Sequence, residues 1–165
     1  MIVRSVSDNV RRTTAIVSTN VRRKSALIAR RAVHHCAPLQ LQAARSADLV
    51  AVPCRPSIID LDAIGATLDL CQLAKRPSVV VLNAAPIRSR VVEEAAEAVR
   101  KLGGKVAGVI IRERVAFRHS LVDGRVAGEY EPGGGAAQEV AALYDLLIGN
   151  LEGAHTSNRA NTKAR

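Results

Sequence analysis

The sequence predicts an α/β fold in which a small parallel sheet is flanked by helices, a partial Rossmann-like arrangement in three layers. Three short apolar runs, at 48–53, 78–83 and 106–111, have the composition of strands that are buried on both faces. Helix-length amphipathic segments separate these runs, and strands that alternate with helices form parallel sheets through right-handed crossovers. The chain has 165 residues, 48% of them hydrophobic, which is enough for one core.

The chain before the first strand divides into a basic arm and a short helix. Residues 1–36 contain seven arginines and one lysine against a single acidic residue, Asp8, and show no sustained helical or strand period. We expect residues 1–38 to be a poorly ordered arm. A solvated or non-native leader is favoured over a DNA-binding arm, because glycine and aromatic residues are absent from it. The folded domain is predicted over 39–149, beginning with a helix from Leu39 to Ser46.

The first two strands are each followed by a predicted helix. Asp60 is the expected N-cap of a helix that runs to Ala74. Its apolar residues recur at helical spacing and predict one buried face: Leu61, Ile64, Leu68 and Cys71. A second helix is predicted from Val91 to Leu102, closed by Gly103-Gly104.

The last predicted helix runs from about residue 136 to 148 and follows a turn-rich stretch. Its expected buried residues are Val140, Leu143, Leu147 and Ile148. Residues 150–165 are polar, and we expect a disordered tail there.

The cysteines and histidines predict no metal site. Cys36, Cys54 and Cys71 lack metal-ligand spacing and are odd in number, so we interpret them as small buried apolar residues. His34 and His35 are adjacent but have no second ligand cluster. The sequence also lacks a run of about 18 apolar residues, so a membrane span is not predicted and a cytoplasmic protein is expected.

Charge is distributed unevenly along the chain. Residues 37–154 carry 13 basic and 14 acidic residues, although the whole protein has a formal net charge of +9. The excess positive charge therefore lies in the two ends of the chain. If the folded part binds a polyanion, it must do so through a few placed arginines.

Three groups of residues, read in chain order, carry a resemblance to a known family. They are 47–57 (ADLVAVPCRPS) with 60–67 (DLDAIGAT), then 79–86 (VVVLNAAP), then 114–119 (RVAFRH) followed by 129–134 (EYEPGG) and the closing helix. In this order they resemble the C-terminal half of ParA/MinD-type partition ATPases, and the plasmid-partition subgroup in particular. The resemblance spans residues 41–149, about two thirds of the chain.

The resemblance implies a nucleotide site at the carboxyl ends of the strands. In the family, the asparagine that ends the second strand contacts adenine, and Asn83 matches that position. The backbone at Ile111 and Arg112 would flank the base. Ligands on open parallel sheets bind at this edge in any case. The alternative is an asparagine that caps the strand end.

The resemblance also implies DNA binding without sequence preference. Arg88, Arg90 and Arg118 are the expected phosphate contacts, and Arg112 and Arg114 are weaker candidates. The alternative is that these are ordinary surface arginines paired with Glu93, Glu94 or Glu113. Family partners would be nucleoid DNA, a centromere-binding partition protein, and a second copy or an intact ParA-type chain.

The chain departs from the family in the groups that hold ATP and Mg²⁺. No Gly-x-Gly-Lys-Thr-like loop is present, and no carboxylate stands between Asp8 and Asp48 to meet the metal. Gly133-Gly-Gly135 lacks a following Lys-Ser/Thr and is interpreted as a loop before a helix, where relatives usually have lysine at position 135. ATP hydrolysis by this chain alone is not expected, although the family uses ATP and Mg²⁺.

A missing phosphate-loop strand has a structural consequence, since it normally lies in the middle of the sheet. We expect its absence to leave an open apolar strand edge, and interpret the chain as a truncated gene product with an unrelated leader. Two functions follow. The first is a partition protein deficient in ATP hydrolysis with residual nonspecific DNA or partner binding, located in the cytoplasm and, where it binds DNA, at the nucleoid. The alternative is a non-enzymatic module that dimerises with an intact ParA-type ATPase.

Overall fold

A computed structural model describes residues 15–17, 26–28, 37–122 and 124–162, with side chains described for 38–122 and 124–151. The fold is mixed α/β, and most of the described residues are helical. The elements in chain order are β1 Ala15–Val17, β2 Ala26–Ile28, α1 Ala37–Ser46, β3 Leu49–Cys54, α2 Ile58–Leu73, β4 Ser78–Leu82, α3 Val91–Lys101, α4 Val115–Val122, α5 Ala127–Tyr130 and α6 Gly135–Thr162.

The first two predicted strands are present as a parallel pair. β3 and β4 pair from Val50↔Ser78 to Cys54↔Leu82, and both are almost completely buried. Successive side chains of a strand point to opposite faces, and the core divides accordingly. One face carries Val50 and Val52 and packs with residues of α1, α2 and α3, whereas the other carries Leu49 and Ala51 and packs with α6. Helices therefore cover both faces of this pair.

The third predicted strand, 106–111, does not form a regular strand, and this part of the prediction is corrected. It runs parallel to β4 and is joined to it by two isolated bridges, Val80↔Val106 and Ala85↔Arg112. Between these bridges the carbonyl of Leu82 accepts from the N–H of Ile111 at 2.9 Å, so residues 108–110 are passed over. Regular pairing is therefore interrupted between Ala107 and Ile111, and Gly108 lies within the interrupted stretch.

Part of the predicted N-terminal arm belongs to the sheet. β2 pairs in parallel with β3, from Ala26↔Leu49 to Ile28↔Ala51, and β1 pairs antiparallel with β2. The edge of β3 that we expected to be open is therefore covered by the apolar residues Ala-Leu-Ile. The rest of the predicted arm, through residue 36, lies outside the described residues.

The start of α2 differs from the prediction, because Ser57 rather than Asp60 is its N-cap. The Ser57 Oγ accepts from the Asp60 N–H at 3.3 Å and donates to Asp60 Oδ2 at 2.7 Å. A hydroxyl paired with an acid three residues later is the usual arrangement at a helix start. The predicted apolar face is confirmed: Ile64, Leu68 and Cys71 are buried, and Leu61 packs beside them.

The predicted glycine closure of α3 is confirmed. Gly103 has φ of 78° and its N–H donates to Arg100 O at 2.9 Å, while the Gly104 N–H donates to Val99 O at 2.9 Å. This pair of bonds is the Schellman motif, which favours glycine at the left-handed position. A Cβ at Gly104 would lie 2.8 Å from Val99 Cγ1 and 3.0 Å from Leu68 Cδ1, so the α3 end packs directly on α2.

The last helix is longer than predicted. α6 extends to Thr162, so the expected end near residue 148 and the tail from 150 are corrected as far as residue 162. Leu151 is 1% exposed and packs with Leu143 and Leu147, which gives the helix a buried anchor beyond its predicted end. Val140, predicted as buried, is 47% exposed instead.

Candidate functional site at the carboxyl edge of the sheet

The carboxyl ends of β3 and β4 meet at one edge, which we call the carboxyl edge. Asn83 follows β4 directly, is half-buried, and donates its N–H to Cys54 O at 2.8 Å. This bond holds the start of the loop after β4 against the end of β3. Asn83 therefore stands at the crevice where open parallel sheets take ligands, as the sequence predicts.

Ile111 and Arg112 lie beside Asn83 at the same edge. Besides its bond to Leu82, Ile111 accepts from the Ala85 N–H at 3.1 Å, so this segment follows the loop after β4. The structure thus brings the three predicted adenine-site residues to one place. Their capacity for a base is reduced, however, because the Arg112 N–H donates to Glu139 Oε2 at 3.0 Å. The Asn83 carboxamide and the Arg112 carbonyl make no hydrogen bond to another described residue.

Glu139 of α6 fixes this segment, and the sequence reasoning did not single it out. Its Oε1 accepts from Arg114 Nε at 3.0 Å and from Arg114 Nη2 at 2.7 Å, while its Oε2 holds the Arg112 N–H. The hydrogen bond to Glu139 raises the pKa of Arg114 further above its ordinary value. A partner 25 residues away leaves no periodic signal in a sequence, so the pattern could not have shown it.

Gly135, at the start of α6, makes room for the Arg114 side chain of this ion pair. A Cβ at Gly135 would lie 2.6 Å from the Arg114 guanidinium carbon, and one at Gly134 would meet the Glu131 side chain. Gly135 is the first residue of α6, so the prediction of a loop before a helix is confirmed. The space that a side chain at position 135 would enter is taken by Arg114.

The loop after β4 contains two residues in the left-handed region. Ala84 has φ of 49° and Arg88 has φ of 58°. Such a conformation costs a non-glycine residue about 1–2 kcal/mol, and residues of this kind cluster at binding sites. The loop has eight residues, and Ala85 within it hydrogen-bonds to residues 111–113. We attribute the loop's conformation to these bonds rather than to the backbone preferences of its residues.

The predicted arginines separate into two groups. Arg112 and Arg114 are structural, since Arg112 Nη1 donates to Pro86 O at 2.9 Å and Arg114 pairs with Glu139. Arg88, Arg90 and Arg118 are exposed, and their guanidinium groups make no ion pair or hydrogen bond with any other described residue. The suggested pairing with Glu93, Glu94 or Glu113 is not found in the part of the chain that has described side chains.

The residues present do not fit ATP and Mg²⁺. Among residues 38–122 and 124–151, no three His, Cys, Asp or Glu side chains are grouped so that they could hold a metal ion. The only glycine-rich segment opens a helix whose first turn faces the Arg114 guanidinium and contains no lysine. Neither a phosphate loop nor a carboxylate for the metal is in place.

The two described cysteines are buried and free, as predicted, whereas Cys36 lies outside the described residues. Burial, with a smaller effect of the Asp60 charge, raises the pKa of Cys54 to about 11, and burial raises the pKa of Cys71. Both thiols are therefore protonated at neutral pH. Because the thiolate is the nucleophilic form of cysteine, neither thiol is expected to act as a nucleophile.

A pocket of about 380 Å³ lies at the opposite, amino edge of the sheet and was not predicted. Its lining residues come from the starts of β3, β4 and the third segment and from α6: Leu49, Pro77, Ser78, Val79, Lys105, Gly149 and Asn150. The structure therefore offers a concave surface at the end of the strands opposite to Asn83.

No protein-family model matches the sequence, and no curated protein matches it significantly. Within the described residues, no helix is long and apolar enough to span a membrane.

Proposed function

We propose that this chain is a ParA-type partition protein that binds DNA without sequence preference through Arg88, Arg90 and Arg118, and that it does not hydrolyse ATP. One observation carries the proposal: these three arginines are exposed, and their guanidinium groups have no partner among the described residues, beside the edge that holds Asn83 and Arg112. Under this proposal the protein acts in the cytoplasm at the nucleoid, with a centromere-binding partition protein as partner.

The free arginines support DNA rather than a small anion as the ligand. Arg88 and Arg90 lie on the loop after β4 and Arg118 lies on α4, so they present separate charges and not one cradle. Separate guanidinium groups suit a regular row of phosphates, each of which can take a charge-assisted, bidentate contact. Contacts to phosphate position a duplex without reading its sequence.

The proposal that this chain does not hydrolyse ATP rests on the residues at the carboxyl edge. Phosphoryl transfer requires groups that neutralise the phosphates and a metal that bridges them. The described residues place Asn83 at the carboxyl edge but offer neither of those components. We therefore expect nucleotide to be dispensable for DNA binding by this chain.

The test compares two arginines that lie at opposite ends of α3. Arg90 precedes α3 and Arg100 lies in its last turn, so they are separated by the length of a helix that rises about 1.5 Å per residue. Arg90→Gln and Arg100→Gln remove the same charge at opposite edges of the sheet. This matching is needed because the basic leader also attracts DNA.

Binding of a labelled random duplex is measured by fluorescence anisotropy at two salt concentrations, with and without ATP. We expect Arg90→Gln to weaken binding several-fold and to lower the salt slope by about 1, whereas Arg100→Gln leaves both unchanged. Equal effects of the two variants would assign DNA binding to bulk charge, and the proposal would then be rejected.

A second function is favoured by a different observation. Four large apolar side chains at the carboxyl edge are exposed, by 86%, 67%, 59% and 57%: Ile58, Ile59, Ile87 and Val115. Clusters of this kind mark protein-binding surfaces. They favour the non-enzymatic module that pairs with an intact ParA-type ATPase.

Co-purification of the two chains and analytical ultracentrifugation test this function. Ile58→Ser is expected to reduce the complex, whereas Leu73→Ser, at the other end of α2 and also exposed, is expected to leave it intact. Equal loss with both variants would contradict a partner site at the carboxyl edge.

A further inference from the structure

The pocket at the amino edge combines apolar walls with a single charged group. Leu49, Pro77 and Val79 supply the walls, and Lys105 is the one charged residue in the lining. Among the residues with described side chains, no carboxylate lines the pocket. Its volume of about 380 Å³ falls within the range of small-molecule sites, about 300–1,000 Å³.

The polar groups are placed at one side of the pocket by the fold. The carbonyl of Lys105 accepts from the Val80 N–H at 2.7 Å, which anchors its backbone to β4. The Lys105 Nζ lies 3.5 Å from Asn150 Oδ1, at the limit of a hydrogen bond. Asn150 is itself fixed, because its Nδ2 donates to Leu146 O at 3.0 Å. The ammonium therefore keeps donors available and has no described anionic partner.

We propose that this pocket binds a small amphipathic carboxylate, with its carboxylate on Lys105 and its apolar body against Leu49, Pro77 and Val79. One ammonium matches the single negative charge of a carboxylate, whereas a phosphate dianion carries a second charge that no other cation in the described lining neutralises. The exposed Pro77 and the edges of the buried Leu49 and Val79 side chains offer the apolar surface that this body covers. The site lies at the opposite edge from Asn83 and does not depend on the proposed function.

Gly149 provides a way to close the pocket without disturbing the fold. It lines the pocket on α6, and a Cβ at this position would meet no atom within 4 Å. The leucine side chain of Gly149→Leu is expected to fill part of the pocket. Because leucine is a better helix former than glycine, the same substitution favours the helix. Retained folding is checked by circular dichroism.

The probes are octanoate and octanamide, which share one apolar chain and differ in charge, each kept at a concentration where it does not form micelles. Binding to the full chain is followed by backbone amide NMR shifts. We expect octanoate to shift the amides of residues 49, 78–79, 105 and 149–150, and to bind about threefold more tightly than octanamide, the preference that an exposed ion pair supplies. Lys105→Met removes that preference, Lys101→Met on the exposed surface of α3 retains it, and Gly149→Leu abolishes binding of both probes.

Three results would overturn the site. They are equal affinity for the two probes in the unmodified protein, shifts that fall outside the lining, or octanoate binding that survives in Gly149→Leu. A loss of preference in Lys101→Met as well would show that general positive charge attracts the probe. None of these results bears on DNA binding at the carboxyl edge.

Discussion

The carboxylate of Glu139 holds Arg114 at 2.7 Å with one oxygen and the backbone N–H of Arg112 at 3.0 Å with the other. It thereby ties α6 to the segment that faces Asn83. We expect Glu139→Ala to lower the free energy of unfolding by about 1.5–3 kcal/mol, the usual value of a hydrogen bond to a charged group. Urea denaturation measures this loss.

Glu139→Gln is the matched control for that prediction, since its amide oxygen can still accept from the Arg112 N–H. Hydrogen exchange at this amide is therefore expected to accelerate strongly in Glu139→Ala and little in Glu139→Gln. Unchanged protection in both variants would show that the loop after β4, and not Glu139, fixes the segment.

Arg88 is expected to lower the stability of the fold while it contributes to DNA binding. Its φ of 58° is costly for arginine but not for glycine, so Arg88→Gly should raise the free energy of unfolding by about 1 kcal/mol. Arg88→Ala removes the same charge and keeps the unfavourable conformation. Both variants should weaken DNA binding equally, while only the glycine variant melts at a higher temperature. A lower melting temperature for Arg88→Gly would contradict the argument.

Gly104 marks the contact between the end of α3 and the middle of α2. Gly104→Ala places a methyl group against Val99 and Leu68, and we expect a loss of about 1–3 kcal/mol from overpacking. Gly65→Ala on α2 is the control, because a Cβ there meets nothing within 4 Å and alanine favours a helix. Thermal melts of the two variants should move in opposite directions.

Alkaline pH is expected to destabilise the fold through Cys54. The thiol has an ordinary pKa of 9.0, whereas burial and the Asp60 charge raise its pKa to about 11 in the folded protein. The unfolded chain therefore releases the proton first, and stability is lost as pH rises from about 9 to 11. The melting temperature of Cys54→Ala should fall less than that of the unmodified protein over this window. Parallel curves would show that Cys54 does not contribute.

The paired part of the sheet was predictable because it depends on local composition. The apolar runs at 48–53 and 78–83 correspond to Leu49–Cys54 and Ser78–Leu82, since strands covered on both faces have no polar side. The run at 106–111 has the same composition but is joined to its neighbour only by isolated bridges. Regular pairing of such a run depends on the path of the loop that follows β4. That loop turns sharply at Ala84, which has a positive φ.

The candidate site was predictable in position but not in its internal bonds. The end of an apolar strand places Asn83 at the carboxyl edge, whichever family the chain belongs to. The role of Glu139 could not be inferred, because a contact between α6 and residue 112 is set by tertiary packing. The end of α6 was missed because the polar residues after 150 outweighed Leu151, which stands four residues after Leu147.

The pairing of β2 with β3 determines where the protein can be shortened without exposing a strand edge. A version that starts at residue 37 would keep every helix of the described fold and lose Ala26–Ile28. One row of β3 peptide groups would then have no neighbour, and bare rows of this kind recruit strands from other molecules. Trimming the arginine-rich leader to improve behaviour in solution is therefore expected to produce precipitate.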